Sequence, residues 1–104
     1  MTIVSSRSHY VVTSRFTIRP DSSGRMRVLV HDLTTTSRAE VGCILYHFSE
    51  SVEKPGIFFL CMIWRDETAY QRYAASPFVR AFTGTLAQGM LAEPTITETW
   101  RSLG

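Results

Sequence analysis

The sequence predicts an α+β fold, a ferredoxin-like plait with four antiparallel strands and its helices on one face of the sheet. Three observations predict it. The run Ile57-Phe58-Phe59-Leu60-Cys61-Met62-Ile63-Trp64 is apolar on both parities and bounded by turn residues, which marks a buried strand. Apolar residues recur at helical spacing in two other intervals, 26–33 and 69–90. The resulting order is strand, helix, strand, strand, helix, strand. Two split right-handed crossovers then put the first and third strands at the centre and the second and fourth at the edges.

The elements follow in order. From His9 to Arg19 the residues alternate, with Tyr10, Val12, Ser14, Phe16 and Ile18 on one face of a strand. Pro20 to Gly24 ends it and offers oxygen caps for a helix. Met26, Leu29, Val30 and Leu33 form one apolar stripe on a helix that runs to about Ala39, before Gly42. Cys43 to Ser49 reads as the second strand, and Lys54-Pro55-Gly56 supplies the turn into the third. A helical pattern with Ala69, Tyr70 and Tyr73 breaks at Ser76-Pro77, where Ser76 suits an N-cap and Pro77 a first helical position. Phe78, Phe82, Leu86 and Met90 then repeat every four residues until Pro94, and Thr95 to Trp100 alternate as a last strand.

A chain of 104 residues suffices for one domain with its own core, expected over 9–104 behind a flexible polar leader at 1–8. With 44% hydrophobic and 19% charged residues it reads as globular. A net charge of +2 on scattered arginines argues against a nucleic-acid partner. No apolar run approaches the roughly 20 residues of a membrane span. The leader lacks a signal-peptide core, so a cytoplasmic location is expected. Two cysteines and three histidines have no metal-ligand spacing, so no metal site and two reduced thiols are expected.

The third strand raises a further requirement. Side chains on a strand alternate, so Phe58, Leu60, Met62 and Trp64 line one face and Ile57, Phe59, Cys61 and Ile63 the other. The helices cover only one of these faces. A second copy packed sheet to sheet would cover the other, so a homodimer is expected.

Three blocks of residues resemble the antibiotic biosynthesis monooxygenase domain family. They are Ser37-Arg38-Ala39-Glu40-Val41-Gly42-Cys43-Ile44-Leu45-Tyr46, then Phe58 to Trp64, then Ala69-Tyr70 with Ser76 to Phe82. The resemblance covers about residues 9–103 and implies a dimeric α+β barrel of two plaits face to face. It further implies a cofactor-independent monooxygenase that oxidises a quinol, anthrone or polyketide phenol with dioxygen. In anthrone-oxidising members a Trp closes the third strand and a Tyr follows six residues later. Trp64 and Tyr70 match both. Leu60 stands where those members carry a polar Asn, and Tyr73 and Phe78 where quinol-oxidising members often carry His. Ser14 and Thr83 replace the Asn and axial His of the haem-degrading members, which argues against haem.

If the turn pairs Ser49 with Phe58, Cys43 lies opposite Trp64, Leu45 opposite Met62 and His47 opposite Leu60, all facing the helices. Ile44, Tyr46 and Phe48 then face the partner sheet. On this register Trp64, Met62, Leu60, Phe16, Val12 and Phe82 wall a cleft whose polar groups are Tyr70, Tyr73, Ser14 and His47. The expected catalytic set is Trp64, Tyr70 and His47. Tyr70 holds a substrate oxygen, Trp64 stacks or donates its indole N–H, and His47 or a water accepts the proton. The expected binding set is Ser14, Phe16, Leu60, Met62, Tyr73 and Phe82. Each residue also has a plainer reading: Trp64, Tyr70 and the Phe78/Phe82/Leu86 stripe as core, and His47 as a solvated edge residue. Two alternatives to the oxygenase therefore stand. One is a dimeric binding or stress-response module that holds a hydrophobic ligand. The other is a structural dimer whose cleft is filled by its own side chains.

Overall fold

The structure is a computed structural model that describes residues 9–104; the leader expected over residues 1–8 lies outside them. Strand β1 (Tyr10–Thr17) leads through a short 3-10 turn (Pro20–Ser22) into α1 (Ser23–Arg38). Strands β2 (Cys43–Glu50) and β3 (Ile57–Trp64) form a hairpin, followed by α2 (Glu67–Ala74), α3 (Pro77–Ala87) and β4 (Ile96–Arg101). The four strands make one antiparallel sheet in the order β2-β3-β1-β4. The expected plait and its central pair are therefore present.

Local chemistry accounts for the element ends. The Asp66 carboxylate accepts the Ala69 N–H at 2.8 Å and starts α2, satisfying one of the donors a helix N-terminus leaves free. Ser76 precedes α3 as expected but does not cap it with its side chain. Its hydroxyl instead donates to the Tyr73 carbonyl at 2.6 Å, a group released where α2 ends. The apolar stripe of α3 also stops earlier than its spacing predicts. The helix ends at Ala87, and Gly89, at φ 98°, turns the chain so that Met90 is buried from a loop. That loop is clipped to the end of β1: the Arg19 N–H donates to the Met90 carbonyl and the Ala92 N–H to the Thr17 carbonyl, each at 2.8 Å.

The core lies between the sheet and the helices. Val12, Phe16, Phe58, Leu60, Met62 and Trp64 point inward from β1 and β3, as their parity predicts. Met26 and Leu33 meet them from α1, Ala69 and Tyr73 from α2, and Phe82 and Leu86 from α3.

The register of β2 corrects the sequence reading. Cys43 does lie opposite Trp64, but a bulge between Cys43 and Leu45 then shifts the pairing by one. Leu45 faces Ile63, Tyr46 faces Met62, His47 faces Cys61, Phe48 faces Leu60 and Ser49 faces Phe59. Because parity is two, one extra residue exchanges the faces of everything beyond it. Tyr46 and Phe48 therefore turn toward the helices. Leu45 and His47 turn to the outer face. Both cysteines are free, with Cys43 on the inner face and Cys61 on the outer.

The outer face is rich in apolar side chains: Leu45, Phe59, Ile96 and Trp100 are 41%, 45%, 57% and 51% exposed. On it the Trp100 indole N–H donates to the Thr13 hydroxyl at 2.8 Å. Among the described residues no helix is long and apolar enough to cross a membrane.

Gly42 joins the two layers. It sits at φ 88°, and a Cβ there would stand 2.7 Å from the Ala69 Cβ. Both the backbone and the seat of α2 thus require glycine. Gly42→Ala is expected to lower stability by about 1–3 kcal/mol, read as an earlier urea midpoint at unchanged slope.

Candidate ligand cavity and its tyrosines

A cavity of about 360 Å³ lies between the sheet and the helices. Its floor is Ser14 and Phe16 of β1 with Leu60 and Met62 of β3. Tyr70 and Tyr73 of α2 and Val79, Phe82 and Leu86 of α3 form its roof, and Tyr46 closes the β2 side. Exposed Thr83 and Thr97 mark its mouth between α3 and β4. All six residues expected to bind a ligand (Ser14, Phe16, Leu60, Met62, Tyr73 and Phe82) therefore line one space, together with Tyr70.

Two members of the expected catalytic set lie elsewhere. His47 is carried to the outer face by the bulge in β2 and is exposed there, away from the cavity. Trp64 faces inward but is fully buried behind the tyrosines and does not line the cavity. Its ring stands 4.5 Å from that of Tyr73 and 6.4 Å from that of Tyr70, while Tyr70 also packs on Tyr10 at 5.5 Å. Trp64 thus fixes where the two tyrosine rings sit. Its indole N–H is buried without a partner among the described residues.

Two sets of hydroxyls at the cavity are bonded among themselves. On the β4 side the Ser14 and Thr97 hydroxyls bond to each other at 3.0 Å. On the β2 side the Tyr73 hydroxyl donates to the Tyr46 hydroxyl at 2.7 Å, and the Ser37 hydroxyl of α1 lies 2.9 Å from that of Tyr73. Ser37 is wholly buried, so this set reaches into the core. Tyr46 is the member that parity hid. Unbroken alternation from Cys43 puts it on the outer face, and only the bulge brings it in.

Electrostatics separates the three tyrosines from ordinary surface phenols. Burial pushes the Tyr46 phenol up, partly offset by its bonds to Tyr73 and Ser37. Burial raises Tyr73 still further, with the neighbouring Tyr46 adding to the effect. Burial also raises Tyr70, with Tyr10 contributing. All three stay protonated and can donate. Among the described residues no Asp, Glu, His, Lys or Arg lines the cavity, so these side chains can hold and polarise a ligand but offer no base. Elsewhere among the described residues, no three His, Cys, Asp or Glu side chains converge as a metal site would require.

Comparison with known proteins bears on the same region. Residues 9–84 match the family described as antibiotic biosynthesis monooxygenase. The solved structure of Rv0793 from Mycobacterium tuberculosis superposes with a TM-score of 0.86 at 28% identity, covering 93% of this chain and 97% of that one. A conserved protein from Methanosarcina mazei superposes at 0.87 over 93% of this chain and 95% of its own, and at 22% identity it shows the fold alone. An uncharacterized Synechocystis protein, sll1783, is 27% identical over 84 residues, which are 81% of this chain. The match spans 56% of the length of that relative.

Because Trp64 is packed on all sides, Trp64→Ala is expected to cost about 3–5 kcal/mol and lower the melting temperature sharply. Trp64→Phe keeps most of the packing and removes an unpaired donor, so it should cost less than about 1.5 kcal/mol. Equal losses from the two variants in a thermal melt would show that the indole N–H has a partner.

Proposed function

The chain belongs to the antibiotic biosynthesis monooxygenase family, and from that premise we propose that its cavity binds a planar phenol or quinol and oxidises it with dioxygen, without cofactor. The observation that carries the reading is the character of the cavity: apolar walls, neutral hydroxyl donors at two ends, and no charge. Such a space favours a flat aromatic with oxygens at its edges over an ionic or sugar-like ligand.

The chemistry asks little of the protein. A phenolic ring that loses its proton is electron-rich enough to pass an electron to dioxygen. Recombination forms a C–O bond to give a ring hydroperoxide, and cleavage of its O–O bond leaves one oxygen atom on the carbon. The other leaves as water with two hydrogens taken from the substrate, so the substrate is oxidised and dioxygen reduced. The protein desolvates the ring, holds it beside dioxygen, and stabilises the charge that develops on the ring oxygen. Tyr70 donates to that oxygen. Trp64 acts through Tyr70 and Tyr73 as a positioning residue. With His47 on the outer face, the proton passes to water at the cavity mouth, near Thr83 and Thr97.

A second reading has a specific observation behind it. Leu60 makes the cavity floor apolar, and no lining group acts as a base, which also suits a module that holds a hydrophobic ligand unchanged. Oxygen uptake by metal-stripped protein on a panel of hydroquinones and anthrones separates the two. Uptake above the buffer rate is expected, and Tyr70→Phe should lower kcat by roughly ten- to hundredfold with a smaller change in KM. Uptake at the buffer rate would leave the binding module standing.

The outer sheet face supports a homodimer as the working form. Leu45, Phe59, Ile96 and Trp100 lie exposed on strands that are otherwise ordered and paired. Sedimentation at micromolar concentration should give about twice the chain mass, and Phe59→Lys should shift it toward the monomer. A monomeric wild-type protein would overturn this part of the proposal.

A further inference from the structure

We infer that Ser37, Tyr73 and Tyr46 form a one-directional hydroxyl relay whose last proton, on Tyr46, is offered to an oxygen of the cavity ligand. The inference rests on the cavity being a ligand site, as proposed above, but not on turnover.

Proton counting sets the direction. A hydroxyl carries one proton and can accept two hydrogen bonds. Tyr73 spends its proton on Tyr46, at 2.7 Å. The 2.9 Å contact between Ser37 and Tyr73 must therefore be a donation from Ser37. Tyr46 accepts from Tyr73, and its own proton has no acceptor among the described residues. The residue is 1% exposed, so the phenol is held inside the protein. It lines the cavity, and a ligand oxygen there would complete the chain.

The relay strengthens the donor at its end. Each hydroxyl that accepts a bond becomes a better donor through its own proton, so two buried donations sharpen Tyr46. The groups facing Tyr46 do not compete with this effect. Tyr70 and Tyr73 of α2 are neutral, Cys43 on its own strand is a thiol held up by burial, and no carboxylate is among them. Arg38 of α1 donates through Nε to the Tyr46 main-chain carbonyl at 3.0 Å and not to the phenol. A ligand oxygen carrying negative charge gains more from such a donor than a neutral one does. The relay thus selects for a phenol in its ionised form.

The test uses 4-nitrophenol, whose neutral and ionised forms differ in colour, bound to the full chain without turnover. Wild-type protein should bind the ionised form more tightly, so the bound probe turns yellow at lower pH than the free one. Tyr46→Phe removes the final donor and should weaken binding of the ionised form by roughly ten- to hundredfold. It leaves neither partner stranded, since Tyr73 can donate back to Ser37. Ser37→Ala touches no ligand. It should leave neutral-probe affinity within about twofold while moving the bound ionisation part of the way toward that of Tyr46→Phe. Loss of neutral-probe affinity in Ser37→Ala without a shift in ionisation would reduce Ser37 to packing and overturn the relay. An identical bound ionisation in wild type and Tyr46→Phe would overturn it too, as would no binding by folded wild-type protein at millimolar probe. Because the readout is colour, silence in the oxygen-uptake assay leaves this result intact.

Discussion

Side chains on a strand alternate, and the cavity has its present lining because β2 breaks that alternation once. The bulge between Cys43 and Leu45 lets Cys43 keep its place beside Trp64 while Tyr46 and Phe48 also face inward. Without the extra residue, Leu45 and His47 would occupy those sites. The buried hydroxyl chain would lose its end, and an imidazole would stand over the cavity floor. One inserted residue thus decides whether the site is neutral or titratable. Bulges sit where a strand must re-aim a side chain, and this one lies on an edge strand beside the candidate site.

Much of the fold was legible because each signal had a single physical source. β3 spans Ile57–Trp64, the same eight residues as the apolar run, since nothing else places so many large side chains on both parities. β1 followed from its alternation, and the break at Ser76-Pro77 from the fixed φ of proline. The cavity floor was legible for the same reason: once β1 and β3 were placed, parity alone pointed Ser14, Phe16, Leu60 and Met62 inward. β2 was harder. Cys43-Ile44-Leu45-Tyr46-His47-Phe48 is apolar on both parities in its first half, so periodicity admits either register. A signal was present nonetheless. His47 and Ser49 share one parity, Tyr46 and Phe48 the other, and sending the polar pair outward conflicts with an inward Cys43. That conflict is what a bulge resolves. The slip at the turn was masked, because it cancels against the bulge and leaves Cys43 opposite Trp64 either way.

The buried hydroxyls show how the core tolerates polarity. Tyr46, Tyr73 and Ser37 together bury three O–H groups, and a stranded hydroxyl in such surroundings costs about 1–3 kcal/mol. Bonding them to one another satisfies all but one proton. At the surface the same logic appears with charge. Arg27 of α1 grips Glu50 with two bonds, at 2.9 and 3.1 Å, and Glu50 also accepts the Gly56 N–H at 3.3 Å. Those bonds hold the Glu50 carboxyl below its ordinary range. The pair is exposed, so its value is in orienting α1 on the end of the hairpin more than in stability.

A cavity of neutral donors shifts the burden of acid–base chemistry onto the ligand. With no carboxylate or imidazole to remove a proton, only a ligand already acidic enough to ionise near neutral pH, or made so by its hydrogen bonds, can become electron-rich inside. Buried phenols favour that outcome without titrating themselves, since burial keeps each of them protonated across the range where the ligand changes state. For the proposed oxidation the pH dependence then belongs to the ligand, rising with its ionisation and flat above it, with no separate rising limb from a protein base. Position matters as well. Tyr46 of β2 lies two intervals of the sheet from Ser14 of β1 and three from Thr97 of β4, about 10 and 14 Å at ordinary strand spacing. That span would let a ligand with an oxygen at each end reach both sets of hydroxyls, with Tyr70 as a further donor in the roof.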